Sequence, residues 1–244
     1  MENEIIQISA KNLGELNRRS YCSRCFWLKT KLKNRLPYQI FPGIFSSIDS
    51  YTKKMVESHI DRFRRAPDWI ENLELGEITG YIKTTRKTFF LEDKELGIKL
   101  TGDPDQIFQV ADGSSILIDY KTSKITKHQD SMFPIYEFQL NGYRLIAENI
   151  GITSINKMAL VYTEPQTDQF SENSILKKDG FHMNFRSVAK NVDINPDIVK
   201  SKMTLARKIM NQSQMPNPRS YFANGKQVVC GDCDRFNSIL SFYK

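Results

Sequence analysis

Asp119 and Lys121 close an apolar run in a way that suits hydrolytic chemistry. In ILIDYKTSK, residues 116–124, Ile116, Leu117 and Ile118 give way at once to Asp119, Tyr120 and Lys121. Side chains alternate along a strand, so Asp119 and Lys121 share one face and Tyr120 takes the other. A surface salt bridge would be one use for such a pair. A second carboxylate suggests another: Asp105 lies 14 residues earlier, across one turn, where an adjacent strand can bring it alongside Asp119. Two close carboxylates repel unless protonated or bridged by a cation. Hard oxygen ligands with an open water shell suit Mg²⁺ or Mn²⁺. A lysine beside such an ion can orient the attacking water or balance charge developing on a phosphate. Asp103 competes with Asp105 for this role, and Pro104 between them breaks the strand's regularity.

Two further groups carry chemistry. Gln139 and Tyr143 stand at i and i+4 and so share one face of a helix. Glu137 lies roughly 200° away around the same helix and points elsewhere. On their own, Gln139 and Tyr143 would read as a solvated face. The four cysteines form two CxxC pairs, Cys22 with Cys25 and Cys230 with Cys233. In a cytosolic chain this pattern reads as a four-thiolate metal site before it reads as disulfides. Thiolates select zinc or an iron–sulfur cluster, and spacing alone leaves both open. One pair near each end means that the metal would clip the ends together.

Elements must position these groups. Ser9 is a candidate N-cap for a helix bearing Leu13 and Leu16. Residues from Ile44 to about Phe63 repeat apolar side chains at helical spacing, with RRAPDW as the stop. KTFFLE and GIKLTGDPDQIFQV, joined by DKEL, read as a hairpin, and SSILIDYKT as a third strand. A helix follows from about Ser131, with Pro134 in its first turn and NIG as its stop. KMALVYTE is a fourth strand, PQTDQFSENSILKKDG a polar loop, and FHMNFRSV a further strand. The last helix takes Asn195 as cap and Pro196 at N1, and the segment after it reads as irregular. The order αβββαβ implies an α/β fold: a mixed sheet flanked by helices, with the termini joined by the four-cysteine site.

Charge divides the chain. It carries +7 overall, with +5 on residues 1–40, +6 on 200–244 and −4 on the middle. Basic ends around a mildly acidic centre suit a polyanion such as nucleic acid. No apolar run approaches the roughly 18 residues of a membrane span, and the N-terminal residues show no signal pattern. The expectation is a cytoplasmic protein without a membrane partner. It is read as one domain over 1–244, with a core over about 44–164 and cysteine-bearing basic ends at 1–40 and 200–244.

GDPDQIF, IDYK and QLNGY, in that order, resemble the RecB-type branch of the PD-(D/E)XK nuclease superfamily. ISAKNLGELNRRSYCSRCFWL is similar to that family's opening helix and following segment, and CGDC to the branch that adds cysteines for an iron–sulfur cluster, as in AddB-type helicase-nucleases and CRISPR adaptation exonucleases. The resemblance implies the restriction-endonuclease-like αβββαβ core. It implies Asp105 and Asp119 as Mg²⁺ or Mn²⁺ ligands, Lys121 as catalytic lysine, and Gln139 and Tyr143 as an accessory pair. The activity implied is hydrolysis of phosphodiester bonds in DNA by an exonuclease of repair, recombination or CRISPR adaptation, with a helicase, CRISPR or repair protein as partner. Cys22, Cys25, Cys230 and Cys233 would hold a 4Fe–4S cluster. The chain departs from the family pattern twice. The histidine that many members carry early in the first core helix is replaced in PGIFSSIDSY by serines and Asp49, a weak substitute; His59, His128 and His182 read as structural or surface residues. The cysteines fall two and two, where the cluster-bearing branch commonly has one and three, which keeps Zn²⁺ open. A non-catalytic DNA-binding subunit with a structural metal is the alternative reading.

Overall fold

The computed structural model describes residues 4–35, 42–123, 131–167 and 183–242. His128, His182 and most of the expected polar loop (168–180) lie outside the described residues. In chain order the elements are β1 (Ile6–Ser9), α1 (Ala10–Gly14), α2 (Ser23–Lys31), α3 (Gly43–Phe63), β2 (Ile78–Ile82), β3 (Phe90–Asp93), β4 (Ile98–Thr101), β5 (Gln106–Val110), β6 (Ser115–Thr122) and α4 (Phe133–Asn149). They continue with β7 (Ile155–Pro165), β8 (Phe185–Val192), α5 (Asp197–Met210), β9 (Ser220–Ala223), β10 (Lys226–Val229) and α6 (Gly231–Ser241).

The main sheet has the order β2-β5-β6-β7-β8. β6 and β7 are parallel and the other neighbours antiparallel, so the sheet is mixed, as expected. Parallel neighbours need a crossover, and α4 supplies it. β6 is central and covered on both faces, which explains its unbroken apolar run. Ile116, Ile118 and Tyr120 pack with Val56 and Ile60 of α3. Leu117 packs on the other side with Phe138 and Ile146 of α4. Asp119 and Lys121 continue the Leu117 face, as strand periodicity requires.

A second sheet, β1-β4-β3, corrects the expected hairpin. β3 and β4 do pair antiparallel. GIKLTGDPDQIFQV, however, is two strands in two sheets, broken at Gly102–Asp105. Pro104 cannot donate to a ladder, and β4 instead takes β1 as a parallel partner. This sheet and α1 pack on α4, leaving nine of its residues buried. Ala10 of α1 comes so close to Gly142 of α4 that a Cβ there would lie 2.9 Å from the Ala10 Cβ.

Several smaller expectations hold. The Ser9 side chain caps α1 by accepting from the Asn12 N–H, α3 ends at a left-handed Arg64, and Pro134 sits in the first turn of α4. Others shift. Pro196, not Asn195, takes the N-cap of α5, and the segment after α5 is not irregular: β9 and β10 form a hairpin leading into α6. The Asn195 N–H is held instead by the Asn141 side chain at 2.6 Å, which moves the helix start on by one residue.

Candidate active site and cysteine centre

Asp105 ends the linker between the two sheets and stands one residue before β5. The register Gln106–Ile118 sets it beside the Asp119–Tyr120 end of β6. Its Oδ2 accepts from the Tyr120 N–H at 2.8 Å. Its Oδ1 pairs with Lys53 Nζ of α3 at 2.6 Å. Asp103 lines the same cleft but pairs with Arg86 at 3.2 Å. Of the two candidates, Asp105 is thus the one bound against β6.

Asp119 is buried, at 2% exposure. Its Oδ2 pairs with Lys121, and its Oδ1 accepts from Gln139 Nε2 at 3.2 Å. Gln139 closes the circuit: its Oε1 accepts from Lys121 Nζ at 3.2 Å, and its Nε2 also donates to the Tyr143 hydroxyl at 2.6 Å. All four expected residues of β6 and α4 therefore form one network. The pairing depends on α4 crossing the β6 face that Asp119 and Lys121 share. Glu137 lies on another side of α4, near Asp193 and Lys190.

Electrostatics separate the two members of the acid–lysine pair. Burial pushes the Asp119 carboxyl up to about 6, with Asp105 adding to the rise and Lys121 opposing it. Burial lowers Lys121, but Asp119 and Asp105 outweigh it and the net shift is upward. Burial also raises Tyr143. Lys121 therefore stays an ammonium ion, while Asp119 gains from any added cation that keeps it ionised. Two hard carboxylates on one cleft, each already matched by an ammonium group, fit Mg²⁺ or Mn²⁺ in chemistry.

The cleft holds about 1280 Å³. Its walls include Asp105, Asp119, Lys121, Gln139 and Tyr143, with Lys11, Lys31, Lys33, Arg86 and Arg207 around them. Three contributors are not evident from the motifs. Lys121 Nζ lies 4.4 Å from the centre of the Tyr136 ring. Lys11 of α1 is lowered by burial and then by the nearby Lys121 charge. Lys53 bridges Asp105 and Asp49, and its i,i+4 spacing from Asp49 is the one signal that could have found it. His59 is half-buried and packs on Phe63, with ring centres 4.7 Å apart.

The four cysteines converge as expected. Cys22 and Cys25 flank the start of α2, and Cys230 and Cys233 the start of α6. Their sulfurs all lie within 4.8 Å of one another, with contacts of 3.6 Å (Cys22–Cys233), 3.5 Å (Cys25–Cys230) and 3.4 Å (Cys25–Cys233). Cys22 is held down to about 4 by its sulfur contact with Cys25 and, against the effect of burial, by the Arg219 N–H. The thiols of Cys25 and Cys233 are pushed up, Cys25 chiefly by Cys22 and Cys233 chiefly by burial. Such a cluster is a thiolate site that a cation would stabilise.

The model of the PD-(D/E)XK nuclease superfamily matches residues 15–236. No curated protein matches the chain. A solved structure titled "Crystal structure of SSO0001" is similar at 16% identity, covering 86% of this chain and 79% of that one, with a TM-score of 0.40.

Proposed function

The chain belongs to the PD-(D/E)XK nuclease superfamily, and from that premise we propose that it is a Mg²⁺- or Mn²⁺-dependent deoxyribonuclease, acting as an exonuclease in repair, recombination or CRISPR adaptation. One observation carries the reading: Asp119, Lys121, Gln139 and Tyr143 form a single hydrogen-bonded network on a cleft that also holds Asp105. A salt bridge alone would need neither Gln139 nor Asp105.

In this reading Asp105 and Asp119 hold the divalent cation. When bound, it acts as a Lewis acid on the phosphate and lowers the pKa of water. The remaining work belongs to side chains. Lys121, fixed by Asp119 and Gln139 Oε1, holds the attacking water and balances charge on the phosphoryl oxygens. Gln139 fixes the orientation of Asp119. The Tyr143 hydroxyl accepts from Gln139 Nε2, which leaves its own proton free for a phosphate oxygen. The basic residues of the outer cleft, Lys31 and Lys33 among them, position the DNA backbone.

The cysteine distances bear on the second metal. Four thiolates about 2.3 Å from one zinc ion stand roughly 3.8 Å apart. An iron–sulfur cluster puts four irons between them and needs a wider spread. Contacts of 3.4–3.6 Å within a 4.8 Å limit support a single tetrahedral ion, with zinc as the best candidate. Metal analysis of the purified protein checks this, and a brown protein rich in iron would refute it.

The activity test uses end-labelled single- and double-stranded DNA with and without Mn²⁺. Wild type should cleave only with the metal. Asp119→Ala and Lys121→Ala should each lose at least about 100-fold while still binding DNA. Undiminished cleavage by Asp119→Ala would refute the assignment. Salt-sensitive binding with no cleavage by wild type would instead favour a non-catalytic DNA-binding subunit, possible because Lys53 already occupies Asp105.

A further inference from the structure

Lys53 is placed where a cation is needed. Its ammonium lies 2.6 Å from Asp105 Oδ1 and 3.0 Å from Asp49 Oδ2. The other Asp105 oxygen is taken by the Tyr120 N–H. Each Asp105 oxygen thus already has a partner, and a metal reaching Oδ1 competes there with Lys53. Asp49 stands one turn before Lys53 on α3 and lines the same cleft as Asp105 and Asp119. Once Lys53 leaves, Asp49 and Asp105 are two negative charges that shared one counter-ion. They then require another.

Lys53 can leave. Its side chain is 30% exposed, on the cleft-facing side of a helix, and a lysine has a flexible four-carbon stem. Lys121 differs: it is more deeply set, at 13% exposure, and is held by both Asp119 and Gln139. One ammonium group is therefore fixed and the other exchangeable.

Resting on the nuclease reading above, we propose that Lys53 is a resident counter-cation that keeps Asp49 and Asp105 together before metal loading, and that the divalent cation displaces it, with Asp49 joining Asp105 as a ligand. α3 then supplies its ligand as a carboxylate. Lys53 sets the metal affinity: it lowers the affinity by competing, and in return keeps the two acids from repelling each other when no metal is bound.

The test is Mn²⁺ binding, measured by electron paramagnetic resonance on the full chain with its cysteine centre already metallated, without DNA. Lys53→Met should tighten Mn²⁺ binding by about tenfold, as expected for removing a competing charge at contact distance from a ligand. Asp49→Asn in the Lys53→Met background should abolish that gain. Circular dichroism confirms folding, and Lys53→Gln serves if the methionine variant is unfolded. Wild type that binds Mn²⁺ with no tightening in folded Lys53→Met or Lys53→Gln overturns the inference and leaves the nuclease reading standing. So does a gain that survives Asp49→Asn. No Mn²⁺ binding by folded wild type and Lys53 variant alike overturns both.

Discussion

If Asp119 holds the cation as proposed, a proton and a divalent cation compete for its carboxylate. Burial holds that carboxyl near 6, and the cation needs its ionised form. Above this value the group is a carboxylate, and metal affinity does not depend on pH through it. Below this value protonation takes over, and affinity should fall by up to about tenfold per pH unit. Titrating Mn²⁺ affinity from about pH 8 to about pH 5 should show a break near 6, well above the ordinary carboxylate range. Affinity that stays flat down to about pH 4 would remove Asp119 from the metal site. Asp119, Lys121, Gln139 and Tyr143 were legible in the sequence because each pair obeys one local period, two for a strand and 3.6 for a helix. Lys53, Lys11 and Tyr136 were not. Lys53 and Lys11 come from α3 and α1, and no local period says which elements will meet, while Tyr136, three residues before Gln139 on α4, shares its face but carries no charge to mark it.

At the scale of elements, the linker that leaves β4 decides how closely α4 approaches. A Cβ on Gly102 would lie 2.6 Å from two ring carbons of Tyr143 and 3.2 Å from Phe89. Gly102→Ala must push the Tyr143 ring aside, and with it the Gln139 amide that positions Asp119. The expected cost is about 1–3 kcal/mol of stability, with a fall in cleavage rate beyond what the lost folded fraction explains. Gly43→Ala, where nothing lies within 4 Å, is the control and should be neutral. A denaturant titration paired with single-turnover cleavage separates the two effects. This linker also shows where local reading ran out. GIKLT and QIFQV each have strand character, and the Gly102–Asp105 break was visible as Gly and Pro. That the break changes sheets was not, because the choice rests on β1, whose four residues IQIS carry little signal. β2, with Gly80 in ITGYI, and the β9–β10 hairpin were missed for the same reason. They are short, and the contacts that make them strands lie elsewhere in the chain.

The whole molecule is tied across its length by the cysteine centre. Cys22 and Cys233 meet over a separation of 211 residues, and Arg24 adds a 2.9 Å hydrogen bond to Asn237 beside them. Cys22→Ser, or removal of the metal by a chelator, should cost about 2–5 kcal/mol, the range for a covalent tie across a long loop. It should also weaken DNA binding. α2 begins at the cysteines, and the chain leaving its other end carries Lys31 and Lys33 into the cleft wall. Thermal melts and DNA titrations on the same variant check both effects. A drop in melting temperature with unchanged DNA affinity would make the centre a stabiliser only. Among the described residues no helix is long and apolar enough to cross a membrane.

That 211-residue separation also orders events in time. The main sheet, from β2 to β8, contains no residue beyond Val192 and can assemble while later residues are still being made. α2 is synthesised before any of those strands, yet Cys22 and Cys25 at its start meet their partners only once Cys230 and Cys233 have been made. Asp105 and Asp119 can thus meet before the cysteine centre at the start of α2 is complete. A nascent chain can form its buried acid–lysine pair early, while the tie between its two ends comes last.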